Sequence, residues 1–211
     1  IKREPAKDYN DVKSVDGIKI VHHNIFTNKI AYINLSFDTK CVPDELIPYM
    51  GLLGSTLSLM DTKNYTYPEL TNEININCGG LATGTALYSD KVDFSKNTIV
   101  YEVKSKALYE KVPFVLGMME EIMYNTRFDD YKRLKEIIAR IKSRLEASLM
   151  GQGHSIAMLE CCAQFSESAY YSDILRGYKY YEFIKKLDEE FEQNKTQIVE
   201  KLNMLVGYIF N

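Results

Sequence analysis

The side chains with the clearest potential for chemistry in this sequence are its three histidines, His22, His23 and His154. His22 and His23 are adjacent in a segment rich in β-branched residues, and successive side chains of a strand point to opposite faces of a sheet. We therefore do not expect them to chelate one ion, and we interpret both as ordinary surface or hydrogen-bonded histidines. His154 follows Gly151-Gln152-Gly153 at a predicted helix start, where an imidazole can bond a backbone group. No Cys, Asp or Glu is close to it in sequence, which disfavours a metal ligand or a catalytic base.

Four cysteines are the next candidates: Cys41, Cys78, Cys161 and Cys162. No C-x-x-C pair is present, so a structural zinc site is not expected. The adjacent pair lies in a predicted helix, where neighbouring side chains point in different directions and rarely bridge. We predict four reduced, mostly buried thiols in a cytosol-like compartment.

Motifs for other chemistries are incomplete. Gly79-Gly80 is not followed by the Lys-Ser/Thr of a phosphate-binding loop. No Gly-x-Ser-x-Gly elbow supports a Ser–His–Asp triad. We therefore name no catalytic residue and no metal ligand in this chain, and we leave its substrate-binding residues unassigned.

Two compositional clusters allow two interpretations each. The first is a set of basic residues on the polar side of one predicted helix: Lys132, Arg133, Lys135, Arg140, Lys142 and Arg144. They form either a solvated helix face or a surface that faces another domain or a chamber. The second cluster consists of five tyrosines: Tyr170, Tyr171, Tyr178, Tyr180 and Tyr181. Their rings suit either domain–domain contacts or the edge of a helical core.

Composition sets the broad class. The chain has 211 residues, of which 45% are hydrophobic and 26% charged, as in a soluble globular protein with a sizeable core. A net charge of -3 disfavours a nucleic-acid partner. No apolar run has the length of a membrane span, and no signal-peptide pattern occurs, so no membrane partner is expected. The sequence starts Ile1-Lys2-Arg3-Glu4-Pro5 without Met and stops at Tyr208-Ile209-Phe210-Asn211. We expect residues 1–211 to be a single domain, a fragment of a longer multi-domain chain.

The elements that must position any site follow from hydrophobic periodicity. Residues 17–25 predict a strand, followed by a turn at Thr27-Asn28 and a second strand in which Ile33, Leu35 and Phe37 alternate with polar residues. We expect these two strands to form an antiparallel hairpin with one face on a core. Two further strands are predicted, at residues 81–88 and around Ile99, Tyr101 and Val103.

Helices are predicted between and after these strands. The first has an apolar stripe of Leu46, Met50, Leu53, Leu57 and Met60. The second opens with the capping box Thr66-Tyr67-Pro68-Glu69, buries Leu70 and Ile74, and ends at Gly79-Gly80. Two longer helices follow over residues 108–123 and 129–149, then a break at residues 151–153 and helical segments over 155–205, interrupted near Gly177. This order predicts an α+β fold, a two-layer sandwich with a mainly antiparallel sheet covered by helices on one face.

The order hairpin, helix, Thr62-Lys63-Asn64-Tyr65, capped helix, Gly79-Gly80, strand resembles the repeated domain of pitrilysin/insulinase-type zinc metallopeptidases. Several phrases resemble the presequence-protease (falcilysin-like) branch of that family. They are Thr27-Asn28-Lys29-Ile30-Ala31-Tyr32, Pro48-Tyr49-Met50, Tyr67-Pro68-Glu69-Leu70, Thr126-Arg127-Phe128-Asp129-Asp130, Arg133-Leu134-Lys135, Gly153-His154-Ser155-Ile156-Ala157 and Gly177-Tyr178-Lys179-Tyr180-Tyr181. The resemblance spans essentially the whole chain. It rests on the order and spacing of these phrases together and not on any single one.

The resemblance implies a role without chemistry of its own. Enzymes of this branch are single chains of four related domains, arranged as two halves that close around a chamber. Their first domain carries H-x-x-E-H, in which two His bind zinc and the Glu acts as base, and a later Glu completes the ligand set. This chain resembles the third, non-catalytic domain. Aligning Thr62 with the family pattern puts Leu52, Ser55 and Thr56 where His, Glu and His would be, and these side chains are poor zinc ligands.

We therefore expect a chamber-forming, non-catalytic domain of a zinc metalloendopeptidase that degrades short unstructured peptides in the cytoplasm. Zinc would be bound by another domain of the parent, and none by this chain, which alone should be inactive. The expected partners are the other domains of the same polypeptide and short unfolded peptides. One alternative is a non-enzymatic assembly or peptide-binding module, as in inactive processing-peptidase-like subunits. A free-standing binding domain is a third.

Overall fold

The computed structural model describes residues 10–93 and 96–211. Its strands are β1 (Asn10–Val15), β2 (Ile18–His23), β3 (Ile30–Asp38), β4 (Leu81–Ser89) and β5 (Asn97–Leu108). Its helices are α1 (Ile47–Thr56), α2 (Tyr67–Asn77), α3 (Val112–Tyr124), α4 (Tyr131–Cys162), α5 (Glu167–Arg176), α6 (Tyr178–Glu189) and α7 (Phe191–Ile209). Residues 1–5, which contributed to the expectation of a fragment, lie outside the described ranges.

The predicted pairing of the first two strands is wrong. β2 pairs antiparallel with β1, from Asn10 opposite His23 to Val15 opposite Ile18. The connecting residues Asp16 and Gly17 have φ of 51° and 83°, and an Asp-Gly pair with both φ angles positive is a preferred two-residue hairpin turn. This tight turn makes β1 the partner of β2. Both strands are exposed along their whole length, so this hairpin has no face on the core.

The main sheet has the strand order β3-β5-β4, and all its pairs are antiparallel. β3 pairs with β5 from Ile30 opposite Leu108 to Asp38 opposite Val100. Side chains alternate between the two faces. The inward face carries the apolar residues that the alternation predicted, buried or partly buried in the core: Ile33, Leu35, Phe37, Ile99, Tyr101 and Val103.

Helices cover this inward face, which confirms the α+β prediction. α1 packs closely on β4 at Gly54. A Cβ added at this position would lie only 3.0 Å from the Gly84 Cα and 3.2 Å from the Thr83 carbonyl oxygen. Only a residue without a side chain permits this approach. The apolar stripe predicted for this part of the chain is entirely buried: Leu46, Met50, Leu53, Leu57 and Met60.

The loop between α1 and α2 is held against α3 by a buried carboxylate. Glu121 accepts hydrogen bonds from the Asn64 backbone N–H at 3.0 Å, from the Asn64 Nδ2 at 2.8 Å and from the Asn125 Nδ2 at 2.7 Å. Burial alone would raise the pKa of Glu121, but hydrogen bonds from Thr62, Asn125 and Asn64 outweigh it and lower that pKa. The Thr62-Lys63-Asn64-Tyr65 phrase is therefore a structural loop.

The predicted capping box of α2 is confirmed. Thr66 donates its backbone N–H to the Glu69 carboxylate at 2.9 Å. Leu70 and Ile74 are buried, as their spacing predicted.

The predicted break at residues 151–153 is present as a kink at which two helical segments meet inside α4. Gln152 departs from helical geometry there, with φ -130° and ψ 29°, and the second segment continues to Cys162. Glycine weakens a helix by about 1 kcal/mol per residue, so the flanking Gly151 and Gly153 favour a break at this point. No described helix is long and apolar enough to cross a membrane.

Candidate functional site

The helix that resembles the zinc-binding element is α1, and its three aligned residues do not fit a metal. Leu52 and Thr56 are completely buried. The Thr56 hydroxyl donates to the Leu53 carbonyl oxygen at 3.0 Å, and the Ser55 hydroxyl donates to the Gly51 carbonyl oxygen at 3.3 Å. Zinc is bound by imidazole, thiolate or carboxylate, whereas here a hydrocarbon and two hydroxyls engaged with their own helix occupy these positions. Within residues 10–93 and 96–211, no three His, Cys, Asp or Glu side chains are arranged to hold a metal.

A cleft of about 370 Å³ lies between α1 and α4, beside the aligned positions. Its polar lining contains the hydroxyl side chains of Ser55, Ser58 and Thr83. Arg140 and Arg144, one helical turn apart on α4, line the opposite side. The cleft therefore carries positive charge at the place where the resemblance would put a cation.

The predicted basic face of α4 divides into distinct environments. Arg133 donates from Nε to the Leu59 carbonyl oxygen at 3.0 Å and lies 3.9 Å over the centre of the Tyr67 ring. Lys135 pairs with Glu192, and Lys142 with Asp188, which also raises the pKa of Lys142. Lys132, Arg140 and Arg144 are exposed. A single solvated face is therefore too simple a description, because three of the six cations bind other parts of the fold.

No helix of the described residues 10–93 and 96–211 packs on the outward face of the sheet, and this face contains a buried carboxylate. Glu102 is only 4% exposed. It accepts from the Asn34 Nδ2 and the Tyr88 hydroxyl, each at 2.8 Å, and pairs with the Lys104 Nζ at 2.6 Å. Burial alone would raise the pKa of Glu102, but the hydrogen bonds from Lys104, Asn34 and Tyr88 lower it. The carboxylate thus links β3, β4 and β5 on this face.

A groove of about 520 Å³ runs along the same outward face. Tyr32, Leu81, Lys104 and Lys106 line it, and His23 of the outer hairpin borders it. The Tyr32 ring is 69% exposed. The groove combines apolar surface with cations, which suits contact with a polypeptide.

The histidines occupy the surface, as predicted for His22 and His23, which are both exposed. His154 is also exposed. It lies two residues after the kink at Gln152, at the start of the second helical segment of α4, as predicted.

The cysteines are free, and the expectation that they are mostly buried is wrong. Cys41 and Cys161 are exposed, and Cys78 and Cys162 are partly buried. Cys41 lies in a loop, where its thiol donates to the Tyr208 carbonyl oxygen at 3.3 Å, and the adjacent pair lies at the end of α4, beyond its buried stretch.

One tyrosine of the cluster belongs to the helical core, and another is exposed and available for contact with another domain. Tyr180 is buried in the core, and Tyr170 is 41% exposed. The hydroxyls of Tyr180 and Tyr101 are buried without a hydrogen-bond partner in the described part of the chain, and burial raises the pKa of both.

Sequence reasoning missed Glu102 and did not separate the two cleft arginines from the other cations of α4. The alternation of Glu102, Lys104 and Lys106 with buried neighbours along β5 was a signal for a polar outward face. Nothing local distinguishes Arg140 or Arg144 from Lys135 or Lys142, since the partners of the two lysines come from α6 and α7, far away in sequence.

The chain is similar to a known protein family and to several curated proteins. A family model for the associated domain of peptidase family M16, subfamily C, matches residues 1–187. "Protein HypA" of Clostridium perfringens is 34% identical over 211 residues, covering 100% of this chain and 22% of that protein. "Presequence protease 1, chloroplastic/mitochondrial" of Arabidopsis thaliana is 28% identical over 205 residues, covering 95% of this chain and 19% of that protein. "Presequence protease, mitochondrial" of Drosophila melanogaster is 26% identical over 200 residues, again covering 95% and 19%. The chain spans about a fifth of the length of these curated relatives.

Proposed function

The chain belongs to the family of domains associated with peptidases of family M16, subfamily C, and we propose that it is a non-catalytic domain of a longer zinc metalloendopeptidase that degrades short unstructured peptides. Zinc is bound by another domain of that parent. The domain contributes part of the wall of an enclosed chamber and a docking surface for neighbouring domains.

The observation that carries this proposal is that the residues of α1 aligned with the zinc-binding motif are engaged in packing and in hydrogen bonds within the helix. Leu52 and Thr56 are buried in the core and Ser55 bonds its own helix, so α1 serves as a packing element. A peptidase parent is supported by the curated relatives that are named presequence proteases and that are about five times longer than this chain.

The outward sheet face supports the role in a chamber. No described helix covers its groove, and Glu102 ties together the three strands that form it. A rigid wall of this kind limits which substrates reach a reaction centre and excludes water around the reaction. The partners of this face would be other domains of the same polypeptide and short unfolded peptides. A cytoplasmic location stays a prediction.

The decisive experiment compares the full-length parent with the 211-residue chain in a peptidase assay on a short unstructured peptide. We expect chelator-sensitive activity from the parent and none from the chain. Chelator-sensitive activity that survives purification of the chain alone would contradict the proposal. A parent without activity and without an H-x-x-E-H motif would favour the non-enzymatic assembly module.

A second test addresses the wall itself in the full-length parent. Tyr32→Ser removes an exposed ring from the groove, and Ile76→Ser removes an exposed side chain from α2, outside the groove. Truncating a contact residue costs about 1 kcal/mol, so Tyr32→Ser should lower kcat/KM by about five-fold. Ile76→Ser should leave it unchanged. Equal values for both variants would mean that the groove does not contact the substrate.

A further inference from the structure

The cleft between α1 and α4 holds two guanidinium groups without a counter-charge. Arg140 and Arg144 are exposed at its edge. In the described residues 10–93 and 96–211, neither takes part in a hydrogen bond or an ion pair. Like charges one helical turn apart repel each other and destabilise an isolated helix. This pair therefore opposes helix stability unless something binds between or beside the two groups.

Three of the four other cations of the same helix show a contrast, and the fourth, Lys132, is exposed. Lys135 and Lys142 each have a carboxylate partner, Glu192 and Asp188 respectively. Arg133 pairs with Glu136 and is packed over an aromatic ring. The fold thus supplies partners to three neighbouring cations on α4 and leaves this arginine pair facing a cavity.

The lining of the cleft adds one further donor to the two arginines. Ser58 places a hydroxyl in it that can donate to an oxyanion, whereas the hydroxyls of Ser55 and Thr83 already donate to the carbonyl oxygens of Gly51 and Gly54 at 3.3 Å and 2.8 Å. The remaining wall is apolar and includes Ile137 and Ile141 of α4. A partly apolar wall lowers the local dielectric constant and strengthens hydrogen bonds from a guanidinium to a carboxylate.

We propose that this cleft binds a carboxylate group of an extended polypeptide segment. Arginine presents a planar fork that matches a carboxylate with two parallel hydrogen bonds. A volume of about 370 Å³ accommodates a few side chains and not the face of a folded domain. The carboxylate belongs to an acidic free peptide or to an acidic loop of a neighbouring domain. The inference goes beyond the proposed function, because it holds whether or not the parent hydrolyses peptides.

The first arm of the test uses the 211-residue chain, with its fold checked by circular dichroism, and two labelled peptides. One is acetyl-Ala-Glu-Ala-Glu-Ala-amide, and the other has glutamine in place of both glutamates. For a free-peptide ligand, fluorescence anisotropy should show binding of the first peptide only, weakening as ionic strength rises. Arg140→Gln and Arg144→Gln should each weaken it about ten-fold, the loss typical of one charge-assisted hydrogen-bonded pair.

Lys132→Gln is the matched control, because Lys132 is an exposed cation on the same helix outside the cleft. It should leave peptide binding unchanged. Equal weakening by Lys132→Gln, or equal binding of the glutamine peptide, would show nonspecific attraction and overturn the proposal.

The second arm distinguishes the source of the carboxylate in the full-length parent. If a neighbouring domain fills the cleft, the Arg140→Gln/Arg144→Gln double variant should lower the thermal unfolding midpoint of the parent but not that of the chain alone. If a free peptide fills it, the midpoint should not change, and the parent should lose binding of the glutamate peptide. Loss of neither property would show that the cleft has no carboxylate ligand.

Discussion

Replacing Leu52 by histidine tests directly whether α1 is a packing element. The substitution, Leu52→His, restores the first residue of the metal-binding pattern at a position with 0% exposure. If α1 were a dormant metal site, an imidazole there should be tolerated. If α1 is part of the core, the imidazole should be strongly destabilising.

The magnitude follows from burial and hydrogen bonding. Loss of a fully buried leucine side chain removes about 2 kcal/mol of hydrophobic stabilisation. Burying a ring nitrogen without a partner adds about 1–3 kcal/mol. The hydroxyl of Thr56, one turn away, already donates to the Leu53 carbonyl oxygen. The sum of about 3–5 kcal/mol is a large share of the roughly 5–15 kcal/mol that stabilises a typical domain.

The effect should also depend on pH. Burial disfavours the charged imidazole, so the pKa of the introduced histidine is lower in the folded than in the unfolded chain, where it is about 6.5. The unfolded state then binds more protons, and the destabilisation grows as pH falls below that value.

The assay is urea unfolding followed by circular dichroism at two pH values, with and without zinc. Ile76→His is the control, since Ile76 is 74% exposed on a helix and its replacement should cost less than about 0.5 kcal/mol. A loss below about 1 kcal/mol for Leu52→His, or recovery of its stability by stoichiometric zinc, would refute the assignment of α1 as a core element.

Two further predictions concern stability. Gly177→Ala should destabilise the chain by about 2 kcal/mol in thermal unfolding, because the new Cβ would meet the buried Asp173 carboxylate. Gly117→Ala, where a Cβ meets nothing within 4 Å, should instead stabilise α3 by about 0.5–1 kcal/mol, and the same sign for both variants would contradict the packing. Stability should also fall as pH drops below the ordinary glutamate value of 4.5, because the pKa values of Glu102 and Glu121 are lowered by folding. In urea unfolding at several pH values, Glu102→Gln and Glu121→Gln should each make this acid dependence shallower, and an unchanged slope would show that the carboxylates do not contribute.

Local signals predicted much of the fold because they act within a few residues. The capping box at Thr66 and Glu69 and the apolar alternation of β3 and β5 all lie where expected. Strand pairing was predicted incorrectly where a tighter turn competed. The Asp16-Gly17 turn gives β2 a partner upstream, and the pairing of β3 with β5 spans about seventy residues of sequence, a distance over which periodicity has no information.

The sequence assigned no catalytic residue and no metal ligand to this chain, and that assignment stays a prediction. The absence of histidine and glutamate from α1 is a property of residue types and can be read directly from the sequence. The positive charge of the neighbouring cleft is a property of tertiary structure, because Arg140 and Arg144 meet Ser55 only after α4 packs beside α1. The Glu102 cluster likewise needs three strands in register before its donors converge.

Under the proposed function, the metal chemistry belongs to the parent polypeptide and not to this chain. The most direct test of this claim is the zinc content of both proteins, purified in parallel and measured by elemental analysis after dialysis. We predict stoichiometric zinc in the parent and only background zinc in the 211-residue chain. Stoichiometric zinc in the chain, or background zinc in a folded parent, would contradict the proposed function.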